Sequence, residues 1–568
     1  MCAGGKKPPA RSIKQVFQTF KESLENRTAG RKDFFDTLRG CRILRHPLSF
    51  LCEQLKVCEE FGNIYYNSFQ HFFQKGILHM SKSLKSVFAW GRVPGLLIVY
   101  VVLQPLLDAL TSVCAEAEWA LTPGAVVRAL FVAAAALWLL FSGNYTGRRR
   151  VLVYLGLITG YLTVFCIWSL QKGGLSLCIE NASEALKVFY TLYTALLLYA
   201  LYLQRGFLLP LWSIALSGAG YCLIILLAYV TGTSFVSYNA GYGYCGWFYS
   251  ANDISNVILL SAPVLLHLCF TELVRGREKR WYLLAAMGIV MFSVVFSAAF
   301  LGTKLVYLGV ALYLAAALCW FVVRLAVTRE KALLRGLIIA LLLAALLGGL
   351  YPVSPLNAYV NDIFVPMSGE DEAAMEAALS TPGVKEADRA RKNAELEAAA
   401  KGTWLGDLVD TNPIAEKLNW LLSRRLLYIA PILEEYLDGG IWVKLMGLGY
   451  GQTADYRKDI GQLVEMEAVM LLLRHGIVGL LLCYVPCLAA AGCVIVGFFR
   501  KLKQHMASLT YCSLLYSAMI ALAASLIVGH VVQAPSVCIF AAAVYAQLLC
   551  VSSEKPADGV DLVQWKKL

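Results

Sequence analysis

Charge is scarce in this chain of 568 residues: Asp, Glu, Lys and Arg make up 15% of it, while 58% is hydrophobic. A soluble domain carries about 25% charged and about 45–50% apolar residues, so a soluble globular protein is excluded. Also missing is any Cys-x-x-Cys pair, although there are 17 cysteines. Without one, neither a zinc site nor a redox motif is supported, and no metal is expected. Most of the cysteines, among them Cys166, Cys222, Cys269 and Cys493, sit inside apolar runs, where a free thiol acts as a small hydrophobe. Cys178 and Cys245 fall in loops, and nothing in the sequence supports a disulfide between them. Residues 1–93 are polar and basic with no early apolar core, so no cleavable signal peptide is expected. No internal repeat is evident.

The hydrophobicity that is present comes in blocks. Several windows of roughly 20 residues have almost no charge, the length that crosses a hydrocarbon core of about 30 Å. Segments such as Gly95–Leu106, Ala129–Ser142 and Gly336–Leu350 have no polar face, which a helix at a protein–water surface needs. Spans are expected near 95–114, 126–143, 150–170, 184–203, 207–231, 254–273, 281–300, 304–326, 334–351, 477–499, 509–529 and 536–552. The expected fold is therefore all-α, a polytopic integral membrane protein of about twelve transmembrane helices.

The net charge of +12 suits nucleic acid or anionic lipid. Its placement at span ends and in the amino-terminal arm decides for membrane lipid and against nucleic acid. Arg148–Arg150, Arg205, the run Arg275–Arg280, the run Arg324–Arg335 and Arg500–Lys503 fall in alternate loops. The positive-inside rule then puts these loops and both termini in the cytoplasm of a plasma-membrane protein. The organisation that follows is a cytoplasmic basic arm at 1–93, spans over 94–351, an extracytoplasmic helical segment at 352–463, spans over 464–552 and a cytoplasmic tail at 553–568. The arm mixes bulky apolar residues with Lys and Arg, as amphipathic helices on an anionic leaflet do; a small helical bundle is the equal alternative. Within the outer segment, Glu370–Lys401 reads as surface helix broken at Pro382-Gly383, and Trp420–Leu437 as a more apolar helix.

Ionisable residues at the membrane edge are expensive and so are functional candidates. Four places stand out: the loop Cys245–Asp253, the step Ser297–Lys304, the stretch Leu422–Tyr428, and the region from Gly447-Leu448-Gly449 through Glu465-Met466-Glu467 to Arg474–Gly479. Each has a plain reading too. Lys304 is as readily a lysine snorkelling to the interface, Trp247 and Tyr249 are interfacial aromatics, and His475 reads as a polar helix-end residue. Arg424 and Arg425 are consecutive, so about 100° apart on a helix, and one of them points inward. Glu465 and Glu467 stand roughly 200° apart; one is placed to cap a helix amino terminus, where negative charge is favoured, leaving the other to reach a site.

Taken together, these stretches resemble the O-antigen ligase and O-antigen polymerase superfamily of polytopic glycosyltransferases. Trp247–Pro263, with Asn252-Asp253 opening a span, looks like the family's F-G-N-x-N-D/N loop and helix. Ser297–Gly309 is similar to its S-R-G/K-x-x-x-L-G segment, with Lys304 near the basic position. Ser423-Arg424-Arg425 with Tyr428 looks like S-G-R-x-x-x-W/Y, Gly447-Leu448-Gly449 like the following G-x-G, and Glu465 through Gly479 like H-N-x-x-L…G-x-x-G. The resemblance covers roughly 95–550. It departs at Glu465, where ligases of the family often carry histidine; an acidic residue there is similar to the Gram-positive branch of capsule and cell-wall polymerases.

The resemblance implies a GT-C-like fold and transfer of a glycan from an undecaprenyl-diphosphate carrier to a glycan or cell-wall acceptor, within a polysaccharide assembly complex. It implies direct, inverting attack without metal or other cofactor. Basic groups stabilise a diphosphate leaving group, so Lys304 and Arg425, with Arg424 beside it, are the candidate diphosphate ligands. Asn252 and Asp253 are the candidate substrate loop, and Glu465 or Glu467 the general base. The competing classes are a secondary transporter or a flippase for lipid-linked oligosaccharides, which would show similar halves and midplane charges in broken helices, and a non-enzymatic scaffold.

Overall fold

The computed structural model describes residues 93–117, 119, 122–237, 243–276, 281–358, 398–422, 425–450 and 466–553. The amino-terminal arm, the carboxy-terminal tail and the expected helices of 370–397 lie outside these residues, as do Arg424 and Glu465.

Among the described residues ten helices are long and apolar enough to cross a membrane. They are α3 (Pro123–Phe141), α4 (Arg148–Arg205), α5 (Leu211–Val230), α6 (Ala251–Arg275), α7 (Trp281–Phe300), α8 (Lys304–Thr328), α9 (Ala332–Leu350), α14 (Glu467–Arg500), α16 (Leu509–Ile527) and α17 (Pro535–Ser553). Before them α1 (Val93–Val102) and α2 (Gln104–Glu116) form one apolar unit bent by 54°. Pro105 in the first turn of α2 explains the bend, because its ring clashes with the preceding turn and it has no N–H to donate. The chain is thus a polytopic all-α membrane protein.

At 58 residues α4 is too long for one span, since a membrane needs only about 20. Its backbone leaves the helical region at Gly173 and Gly174, and there the chain doubles back. The ring of Tyr161 stacks 5.3 Å from that of Phe189, and Thr159 Oγ1 lies 3.2 Å from the Tyr193 hydroxyl. The two arms coincide with the separate spans expected at 150–170 and 184–203. Helix α6 is the central member, with 72% of its apolar window buried, against 28% for α3 and α9. Cys178 and Cys245 are both free, and burial pushes the Cys245 thiol up to about 11, which leaves it an inert apolar group.

A buried polar knot joins the first helices. Asp108 of α2 pairs with Arg128 of α3 and accepts a hydrogen bond from the Tyr221 hydroxyl of α5. Arg128 also donates to Gln104 Oε1 at 3.4 Å. An unpaired charge at this depth costs several kcal/mol, so each of the two depends on the other.

Between α9 and α14, in the segment expected to be an extramembrane cap, the described residues form α10 (Trp404–Thr411), α11 (Pro413–Leu421), α12 (Arg425–Asp438) and α13 (Ile441–Met446). A two-stranded antiparallel pair, β1 (Phe235–Val236) and β2 (Tyr244–Gly246), lies between α5 and α6, and the short α15 (Leu502–Ala507) joins α14 to α16.

The glycine motifs mark a crossing. Helix α14 breaks at Gly476 (φ 67°, ψ −172°), and the backbone of Gly447–Gly449 runs against it, with Leu448 N–H donating to Leu473 O at 2.8 Å. Gly447 adopts the same kind of conformation (φ 82°, ψ −176°), a region that only glycine enters without strain. A Cβ on Gly476 would sit 2.4 Å from the carbonyl carbon of Leu445, and one on Gly447 2.3 Å from that of Arg474. Replacing Gly476 by alanine is expected to cost more than the about 1–3 kcal/mol of backbone strain alone, seen as a lowered unfolding temperature in detergent.

His475 closes the first arm of α14, directly before the break at Gly476. It is fully buried inside α14, with Tyr161 and Tyr450 hydroxyls 3.2 and 2.9 Å from Nδ1 and Nε2. This arm runs nine residues before the Gly476 break, back to Glu467, and the arm after the break covers the span expected at 477–499. The neighbouring Arg474 is also buried and donates to Gly449 O at 2.7 Å. Both side chains fasten the crossing.

Candidate functional site

Several of the sequence-selected residues meet at the turn 528–534 that joins α16 to α17. This turn has little freedom. Asn256 of α6 donates from Nδ2 to the carbonyls of Gly529 and His530 at 3.0 and 3.3 Å. Thr191 of α4 donates to Val532 O at 2.8 Å. From the other side Glu467, the first residue of α14, accepts the backbone N–H groups of Val531, Val532 and Gln533 on Oε1 at 2.7, 2.6 and 2.8 Å. Helices distant in sequence thus hold the donors and acceptors of one short turn. Glu467 is expected from its sequence position to cap its own helix or to reach a site. In the structure it is 0% exposed and its Oε1 satisfies the N–H groups that precede α17.

Held in this way, His530 adopts φ 63°, one of two non-glycine residues among those described with positive φ. Its Nδ1 lies 2.8 Å from Oδ1 of Asp253, and their side chains keep 30% and 28% of their surface. Asp253 sits in the first turn of α6, where its N–H is capped by Ser250 Oγ at 3.3 Å and where negative charge is favoured by the helix dipole. The preceding loop is tied down as well. Tyr249 N–H donates to Ser112 Oγ at 3.0 Å, and that hydroxyl donates to the carbonyl of Asp108. Asn252 is half-buried beside Asp253 in the same turn.

The cationic candidates approach from two directions. Lys304 is exposed at the first position of α8. The adjoining Thr303 hydroxyl is 2.6 Å from Ser255 Oγ, which brings the start of α8 against the turn that carries Asp253. Arg425, half-buried at the start of α12, extends NH1 to the carbonyl of Ile527 at 3.5 Å. Asp253 and Glu467 therefore touch the turn 528–534 itself, Arg425 reaches the residue just before it, and Lys304 begins beside α6. Tyr450, whose phenol is pushed up by burial, and Met466 flank the stretch that contains Glu465.

His530 carries no signal of its own in the sequence, being one polar residue in a short connector. The Gly529-His530 step and the nearby Pro535 mark only a turn. Asp108 and Arg128 do carry a signal, since each is a lone charge in an otherwise apolar run, which calls for a partner.

No group of three or more His, Cys, Asp or Glu placed to hold a metal occurs among the described residues. What the arrangement offers instead is cationic side chains beside a carboxylate–imidazole pair at the edge of an apolar bundle. Such a combination suits stabilisation of an anionic leaving group and handling of a proton. Neither the curated proteins nor the solved structures provide a match to the chain. Residues 92–555 match the family model described as O-antigen ligase like membrane protein, and the chain belongs to that family.

Proposed function

We propose that the chain transfers or polymerises glycans carried on undecaprenyl diphosphate, at the outer face of the plasma membrane, with both termini in the cytoplasm. Family membership supports a membrane glycan ligase or polymerase in general. The observation that carries the finer reading is the approach of Arg425 and of the Lys304 helix start to the Asp253–His530 turn. In this reading Lys304 and Arg425, with Arg424 adjacent, hold the diphosphate. Arginine offers a planar fork to phosphate oxygens and lysine a mobile point charge. As the anomeric carbon–oxygen bond breaks, negative charge grows on the departing diphosphate. Fixed cations in a low-dielectric setting stabilise it more in the transition state than in the ground state. Asn252 and the turn around it shape the acceptor side. Direct attack inverts the anomeric centre and uses no metal or other cofactor.

Glu467 takes a holding role in this scheme, because its Oε1 already accepts three backbone N–H groups. The acceptor is a growing glycan or a cell-wall polymer, and the acidic residue at 465 favours a polymerase of the Gram-positive kind working within a polysaccharide assembly complex. Purified protein in detergent or nanodiscs, given a lipid-diphosphate oligosaccharide and an acceptor glycan without added metal, is expected to form the joined product and release the lipid diphosphate. Absence of both products while the protein instead moves the lipid-linked glycan across liposomes would overturn the reading.

A further inference from the structure

We infer that Asp253 is the base that takes the proton of the acceptor hydroxyl, and that His530 is the residue that positions it. The inference rests on the transfer reaction proposed above. Its first support is the direction of the carboxylate. Asp253 stands three residues after the Ser250 cap, the position from which an acidic side chain ordinarily turns back to the start of its own helix. Its Oδ1 is instead enclosed against the imidazole of another helix connection, 2.8 Å from His530 Nδ1. The side chain as a whole nevertheless keeps 28% of its surface. One oxygen is thus buried beside the imidazole, and the remainder of the carboxylate is open to a substrate.

The second support is conformational. His530 is held at φ 63° between Gly529 and Val531, and a backbone state of that kind costs of order 1–3 kcal/mol and persists only where its surroundings enforce it. Here the enforcement comes from Asn256 on the carbonyls of residues 529 and 530 and from Glu467 on the N–H groups of 531–533. Two separate helices are spent on fixing one histidine against one aspartate. A connector between two spans does not otherwise need this.

The step balances simply. The acceptor oxygen forms a bond to the anomeric carbon, and the bond from that carbon to the diphosphate oxygen breaks, its electron pair leaving with the lipid diphosphate. The hydroxyl proton passes to Asp253 and then to water, which restores the carboxylate.

The test compares Asp253→Asn, His530→Ala, His530→Asn and Glu465→Gln with the wild-type protein in the purified transfer assay. Asp253→Asn is nearly isosteric and is expected to lower kcat by about a hundredfold or more, with donor KM unchanged. His530→Ala should lower kcat about tenfold. His530→Asn should recover most of that loss, because asparagine accepts positive φ and keeps a nitrogen near Nδ1. Partial rescue by the second variant separates positioning from mere folding. Wild-type kcat in Asp253→Asn, or loss confined to Glu465→Gln, overturns the assignment of the base. Equal kcat for the two His530 variants overturns the positioning role. Failure of the wild-type protein to release lipid diphosphate overturns the underlying reaction, and the inference with it.

Discussion

Lys304→Ala combined with Arg425→Ala is expected to lower turnover on a lipid-diphosphate donor by about a thousandfold or more. One preorganised donor to a developing oxyanion is worth about a hundredfold to a thousandfold. In the proposed reaction two cations address one diphosphate, so the effects of removing both compound. Arg425 is anchored where it is needed, its NH1 3.5 Å from the carbonyl of Ile527, three residues before His530 in the chain. Arg425→Lys keeps the charge but loses the planar fork, so its activity should fall between those of the wild type and Arg425→Ala. Lys304 is exposed and Arg425 half-buried, so the unfolding temperature in detergent should move less than the turnover. Initial-rate kinetics with purified protein provide the check. A double variant with wild-type turnover would remove these side chains from the diphosphate.

Glu467→Ala carries the other large effect, on stability. Its carboxylate is completely buried, and Oε1 satisfies the N–H groups of Val531, Val532 and Gln533 together. Each buried donor left without a partner costs about 1–3 kcal/mol, and three at once amount to a large part of the stability of an ordinary domain. The variant is expected to unfold at a much lower temperature, or to fail to accumulate. Glu467→Gln retains a carbonyl oxygen at the same place and should recover most of the loss in melting temperature. A catalytic base would give the reverse pattern, with the glutamine variant stable and inactive. Thermal unfolding and turnover measured on the same two variants tell these roles apart.

Much of the architecture is legible in the sequence because lipid imposes it. Apolar runs such as 254–273 and 281–300 fall within α6 and α7, since a charge-free stretch of that length has nowhere else to go. The double arm of α4 is legible for the same reason, with one glycine pair between two apolar runs. Asp253 and Glu467 are legible as charges near span ends, and Arg425 as a charge at the start of a more apolar helix in the expected cap. What Glu467 does is not, because its partners lie 64 to 66 positions further along. Nothing local distinguishes a carboxylate that reaches a substrate from one that stitches a distant turn. His530 is hidden in the same way: its importance comes from Asn256 and Asp253, more than 270 positions away. Gly476 reads as a helix boundary, and the backbone does leave the helical region there; the short arm before it, back to Glu467, is not legible as part of a span.

The Gly447–Gly476 crossing also bears on how such a chain diversifies. It clamps the backbone just before residue 451 to the helix that follows residue 465, with Leu448 bonded to Leu473 and Gly449 to Arg474. Both bonds are made by backbone groups, so side-chain substitutions at Leu448 and Leu473 leave the register of α14 against this stretch as it is. The turn at 528–534 is held from elsewhere and is spared as well. Positions 447 and 476 have no such latitude, because a Cβ at either meets opposing backbone at 2.3 to 2.4 Å.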